Sequence, residues 1–130
     1  MRVVFDTNVL VSSLMFPNGR AAAALDRLID GRDQLILSKP IMDELLTVLA
    51  RKFSRDADAL ARVALLLAEL GEMVIPHPRL ALLHDDPDNR ILECALTAGA
   101  DAIVTGDKAM LELCQVGDVR IISLRRYLAT

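Results

Sequence analysis

The chain has 130 residues, 53% of them hydrophobic and 25% charged, with a formal net charge of -3. That length suits one domain with one core, no apolar run approaches the roughly 18 to 20 residues that span a bilayer, and the acidic balance argues against binding nucleic acid by bulk electrostatics. Twelve arginines against three lysines, 15 together, still allow a local basic face suited to phosphate. Phe5, Phe16, Phe53 and Tyr127 are too few aromatics for a base-stacking platform.

Strand-like and helix-like patterns alternate along the chain. "RVVFD" reads as a short buried strand ending in Asp6. A helical region follows, is broken by Pro17 and Gly19, and resumes in "AAAALDRLIDG" until Gly31. "QLIL" is the second strand. "SKPIMDELLTVLARKF" is a helix with Ser38 as cap, Pro40 in its first turn and Ile41, Leu45, Val48 and Leu49 as its apolar stripe. "DADALARVALLLAELG" is a helix ended by Gly71, and "EMVI" is a third strand. Pro76 and Pro78 flank His77 in a loop, and Asp86 with Pro87 then has the composition of a helix start for "DNRILECALTAGA". "DAIVT" is a strand, "GDKAMLELCQ" a helix, "VRIIS" a last strand and "LRRYLA" a terminal turn or helix. This rhythm indicates a three-layer α/β/α sandwich with a central, mostly parallel sheet, in one domain over 1–130. Asp6 interrupts the first apolar run too early for a signal peptide, which points to the cytoplasm. Cys94 and Cys114, both in apolar helical patterns without CxxC spacing, are expected as buried thiols.

The fold dictates where a site should lie. Ligands of open α/β sheets bind at the carboxyl ends of the strands, so acids placed just after strands converge. Asp6 ends the first strand and Asp107 follows the fourth. Glu44 lies at the margin of the buried face of the helix leaving the second strand, and Asp88 shares the inward stripe of Ile91 and Leu92. Asp43 faces solvent instead, and Asp107 also has the position of a helix N-cap. Carboxylates converging without bases repel one another, and a hard divalent cation resolves this; oxygen-only donors favour Mg2+ or Mn2+. His77 and His84 lack the spacing of zinc ligands. Two such ions about 3.5 to 4 Å apart are the standard apparatus of phosphodiester hydrolysis.

Taken together, "VVFDTNVLVS", "SKPIMDELLTVL", "DPDNRILECALTAGADAIVTGDKAML" and "VRIIS" resemble a PIN domain over nearly the whole chain. The likeness is to the compact prokaryotic toxin components of toxin-antitoxin systems, the VapC-like group. It implies a metal-dependent ribonuclease with Asp6, Glu44, Asp88 and Asp107 as the acidic cluster, acting on RNA, dimeric, and held inactive by an antitoxin. Thr105 stands at the family's threonine position as an auxiliary group ordering water or a carboxylate. Asn8, beside the first acid, is expected to make a supporting contact. Asn89 stands where some relatives carry another acid, and Arg20 and Lys108 are candidates for holding phosphate. The alternative is a non-catalytic or phosphate-binding α/β module, receiver-like or a degenerate PIN domain. Against a receiver, the third strand ends near Pro76 and not in an aspartate. Against a haloacid-dehalogenase-type phosphatase, Asp6 is followed two positions later by Asn8.

Overall fold

Val3, Val4 and Phe5, all branched or bulky beyond Cα, build β1 (Arg2–Phe5) in the computed structural model, which describes residues 1–53, 55–77 and 79–130. Asp6 leaves the strand and caps α1 (Thr7–Met15), which Pro17 and Gly19 separate from α2 (Arg20–Ile29). After β2 (Gln34–Ser38), the Ile41 amide donates to Ser38 Oγ at 3.4 Å and starts α3 (Lys39–Lys52), with Pro40 in the first turn. Ile41, Leu45, Val48 and Leu49 are buried as the expected stripe.

α4 (Ala57–Leu70) runs straight into β3 (Gly71–Val74), one residue earlier than "EMVI". The join needs glycine, because a Cβ at position 71 would lie 2.7 Å from Leu37 Cδ1 and 2.9 Å from the Leu67 carbonyl oxygen. α5 (Asp86–Ala98) ends at Gly99 with φ +60, followed by β4 (Ala102–Val104) and α6 (Lys108–Glu112). The chain finishes with β5 (Gln115–Val116), β6 (Val119–Ile122) and α7 (Leu124–Leu128). Pro78, the second proline beside His77, lies outside the described residues.

The strands form one sheet in the order β3-β2-β1-β4-β6-β5, parallel except for the β5–β6 pair. This is the expected sandwich with a mostly parallel central sheet. Successive strands step from β1 outward to β3, and the chain then returns to β4 on the other side of β1. The crevice between the carboxyl ends of β1 and β4 is therefore a topological switch point. Val3, Val4, Phe5, Leu35, Ile36, Leu37, Ala102, Ile103 and Val104 are fully buried at 0% exposure, as expected for central parallel strands. Among the described residues no helix is long and apolar enough to cross a membrane.

Three expectations need correction. The cap of α5 is Asp85, not Asp86; the helix begins one residue earlier, with Asp86 and Pro87 in its first turn. Gln115 is in a strand and not in the helix before it, because α6 stops at Glu112 and a tight hairpin through Gly117 (φ +55) adds β5 antiparallel to β6. Cys114 is not a core thiol: it is exposed, has φ 62 and sits between α6 and the hairpin. Cys94 is buried as expected, and burial pushes its thiol up to about 12.

The last helix is tied back under β1. Tyr127 is fully buried, stands edge-on to Phe5 with ring centroids 5.6 Å apart, and donates its hydroxyl to Asp33 at 2.6 Å. Arg27 of α2 donates to the carbonyls of Tyr127 (3.0 Å) and Leu128 (2.7 Å) and lies over the Tyr127 ring at 5.0 Å. Those carbonyls belong to a helix end with few intrahelical partners, so the guanidinium takes the place of a cap. Arg27→Ala should lower the unfolding free energy by about 1–2 kcal/mol and accelerate amide exchange in Leu124–Leu128 before the rest of the core. Exchange in α7 that matches the parent chain would contradict this role.

Candidate functional site

Asp6 lies where the backbone turns from β1 into α1, at the end of a fully buried strand. The residue is only 4% exposed. It accepts the Thr105 hydroxyl at 2.6 Å on Oδ2 and the Asn8 amide at 3.4 Å on Oδ1. Thr105, itself buried just past β4, also accepts the Asp107 amide at 3.0 Å. One threonine hydroxyl thus locks the ends of β1 and β4 to each other and sets the turn that carries Asp107.

Asp107 has the N-cap role expected of its position, with Oδ2 accepting the Met110 amide at 2.9 Å. That bond fixes one oxygen and leaves the other without a hydrogen-bond donor among the described residues. Glu44 is half-buried on α3, where the Thr7 hydroxyl donates to Oε2 at 3.4 Å. Asp43 beside it is exposed and paired with Lys39 at 2.7 Å, as its solvent-facing position requires. Asp88 is half-buried in the first turn of α5.

The electrostatics tie these groups together. Burial, and behind it the charges of Asp85, Asp6, Asp107 and Glu44, push the Asp88 carboxyl up to about 7. Burial also raises Asp6, and the hydrogen bond from Thr105 only partly offsets it, with Asp107 adding repulsion. Glu44 is raised by burial, with the Thr7 hydroxyl opposing and Asp6 and Asp85 repelling. None of the four carboxylates forms an ion pair with a basic side chain among the described residues. Arg51 eases Glu44 through space.

The donor set fits a hard divalent cation in chemistry: carboxylate oxygens, desolvated, mutually repelling and without a counter-charge. It is not a closed cage. Among the described residues no three His, Cys, Asp or Glu side chains converge closely enough to hold an ion together. Asp6, Glu44, Asp88 and Asp107 would hold such an ion only after side-chain adjustment, as like charges at one edge would demand.

The other candidates divide. Thr105 makes the expected contact with Asp6. Asn8 does so through its backbone amide only; its side chain is exposed. Asn89 does not stand in for an acid at the site. It is buried, bridges the amide and carbonyl of Leu83 at 2.8 and 3.0 Å, and reaches Asp86 at 3.4 Å, so it pins the preceding loop onto α5. Arg20 and Lys108 are exposed and make no side-chain hydrogen bond or ion pair among the described residues. The sequence pattern does not single out Asp85, because Asp86 with Pro87 has the same composition of a helix start one residue later. The signal was present in the run Asp85, Asp86, Pro87, Asp88, and its charge acts on both Glu44 and Asp88.

A carboxyl raised in the folded state favours folding at low pH and penalises it as pH climbs through the folded value. For Asp88 that contribution is full below its ordinary 3.8 and is lost by about pH 7. In chelator, Asp88→Asn should therefore melt above the parent chain at pH 8, with the gap narrowing as pH falls toward 5. Solvent screening of this half-open site limits the gap to about 1 kcal/mol, or about 4 °C. A pH-independent gap, or a variant that melts lower at pH 8, would contradict a repelled, unpaired carboxyl.

The comparisons with known proteins bear on the family and the fold. A family model described as PIN domain matches residues 2–109, a span that contains Asp6, Glu44, Asp88, Thr105 and Asp107. An uncharacterized protein of Methanocaldococcus jannaschii is 26% identical over 117 residues, 87% of this chain and 75% of that protein. The fold is shared with a chain of VapBC2 from Rickettsia felis, solved bound to a DNA fragment from their promoter, at a TM-score of 0.67 and 13% identity, covering 95% of this chain and 98% of that one. It is also shared with VapBC-1 from nontypeable Haemophilus influenzae, at a TM-score of 0.68 and 17% identity over 96% and 99% of the two chains. With the family model covering most of its length and all four carboxylates inside the match, the chain belongs to the PIN domain family.

Proposed function

We propose that this protein is an Mg2+- or Mn2+-dependent endoribonuclease, the toxin component of a toxin-antitoxin pair in the cytoplasm, acting on RNA. The observation that carries the reading is the set of unpaired carboxylates at the β1/β4 switch point, with Asp88 pushed to about 7. Such a set is unfavourable for an apo protein and has an evident use only once positive charge arrives. Membership of the PIN domain family and the VapBC folds support the same reading.

A divalent ion, when bound, supplies polarisation of the phosphate and activation of water. The chain's own part is positional. Asp6, Glu44, Asp88 and Asp107 supply the oxygen donors, and Thr105 holds Asp6 in one orientation so that little reorganisation is left for the moment of reaction. The rigid sheet beneath them keeps the donors in place. Fixed carboxylates also repel a bare phosphodiester, so seating the scissile phosphate among them depends on prior neutralisation of the site, while binding of the strand elsewhere on the surface does not.

The partner we infer is an antitoxin protein, since both fold relatives are VapBC structures. A homodimer belongs to the same reading. Phe16, Leu65 and Ile75 are 57%, 63% and 90% exposed, which is apolar surface suited to protein contact.

Cleavage of structured RNA should require Mg2+ or Mn2+ and should fall at least about 100-fold in Asp6→Asn and in Asp88→Asn. Millimolar Mn2+ should raise the melting temperature of the parent chain and have little effect on either variant. Equal cleavage by parent and variants would overturn the acidic-site reading. A melting temperature unmoved by Mn2+ together with no cleavage would favour the non-catalytic α/β module.

A further inference from the structure

We propose that the cleft between α3 and the start of α4 is the track along which the RNA strand leaves the acidic site, with Arg51 and Arg55 on its phosphates. The cleft has a volume of about 530 Å3 and is lined by Thr47, Ala50, Arg51, Arg55 and Leu60. This rests on the nuclease reading, which requires a strand passing the carboxylates, and it says where that strand goes.

The cleft and the site share the helix α3. Glu44, Thr47 and Arg51 fall at i, i+3 and i+7 on α3 and so share one face. Arg51 lies about 10 Å along the helix from Glu44, on the order of two to three stacked nucleotides. The Arg51 charge already reaches Glu44, where it opposes the repulsion from Asp6 and Asp85.

The two arginines are also uncommitted. Arg2, Arg27, Arg79 and Arg90 are engaged in hydrogen bonds or ion pairs with the fold. Arg51 and Arg55 are exposed and make no ion pair or side-chain hydrogen bond among the described residues. A guanidinium with five free donors is suited to bidentate phosphate contact. Ala50 and Leu60 give the cleft an apolar wall without an aromatic ring, so it holds backbone and does not stack bases. Recognition here is therefore independent of base sequence. An acidic protein segment is the competing occupant of a cleft with this charge, but only a nucleic-acid strand has to enter it from the Glu44 side.

The test is fluorescence anisotropy of a fluorescein-labelled 15-nucleotide oligouridine in EDTA, where nothing is cleaved, over a range of salt. Arg51→Ala/Arg55→Ala should weaken binding about tenfold and flatten the slope of log affinity against log salt by about 1.4, two phosphates at about 0.7 each. Arg32→Ala, in the loop before the amino end of β2, should bind like the parent chain, and circular dichroism should show all variants folded. Unchanged affinity and slope in the double variant would overturn the proposal, as would equal losses in Arg32→Ala or no binding by the parent. Binding of an acidic peptide that depends on the two arginines while RNA binding does not would overturn it in favour of a protein partner. Cleavage by the parent in Mn2+, measured in parallel, separates the two ideas. Arginine-dependent binding without cleavage would sink the nuclease and keep the track, and cleavage with arginine-independent binding would do the reverse.

Discussion

The hydrogen bond from Thr105 to Asp6 is the contact on which the site depends. At 2.6 Å and buried from solvent, it joins the carboxyl ends of two neighbouring parallel strands and orients the most buried acid of the four. The same hydroxyl oxygen accepts the Asp107 amide, so the turn after β4 is set by the atom that sets Asp6. Everything else arrives at this point from outside: Glu44 from α3 and Asp88 from the first turn of α5. The hydroxyl stabilises the Asp6 carboxylate but falls short of its desolvation, which leaves Asp6 raised and the edge short of positive charge.

That shortfall explains the division of labour in the chain. Two charged groups elsewhere are matched within the fold: Arg90 pairs with the buried Glu93 at 2.7 Å, and Arg27 with its carbonyls holds α7 under β1. Among the described residues the carboxylates at the β1/β4 crevice gather without an ion-pair partner, so the frame must supply the stability that the site removes. The fully buried central strands and the Tyr127 anchor under Phe5 do so. Local repulsion tolerated by a rigid surround is the expected signature of a functional centre.

Much of this was legible in the sequence, because its signals are local. β-branched runs marked the central strands, Ser38 and Pro40 marked the start of α3, and Gly99 marked the end of α5. The helical stripe of Ile91 and Leu92 turned Asp88 inward, and the strand ends placed Asp6 and Asp107. What was missed depended on single-residue register or on tertiary contacts. Asp85 and Asp86 are chemically interchangeable as caps, so the helix start could slip by one. The two-residue strand β5 has too little sequence for a period and exists because β6 offers it an edge. Asn89 reads as a near-acid in sequence, yet its bonds to Leu83 make it a loop anchor. Strand order, and with it the switch point between β1 and β4, is a long-range property that the element rhythm leaves open.

The central claim is that the four carboxylates exist to receive a divalent cation at the β1/β4 edge. It is tested most directly by an anomalous difference map from crystals of the parent chain soaked in Mn2+. The account predicts a peak with carboxylate oxygens of Asp6 and Asp88 in its coordination shell and with Glu44 or Asp107 drawn toward it. Crystals that diffract well at saturating Mn2+ and show no anomalous density between these side chains would contradict it.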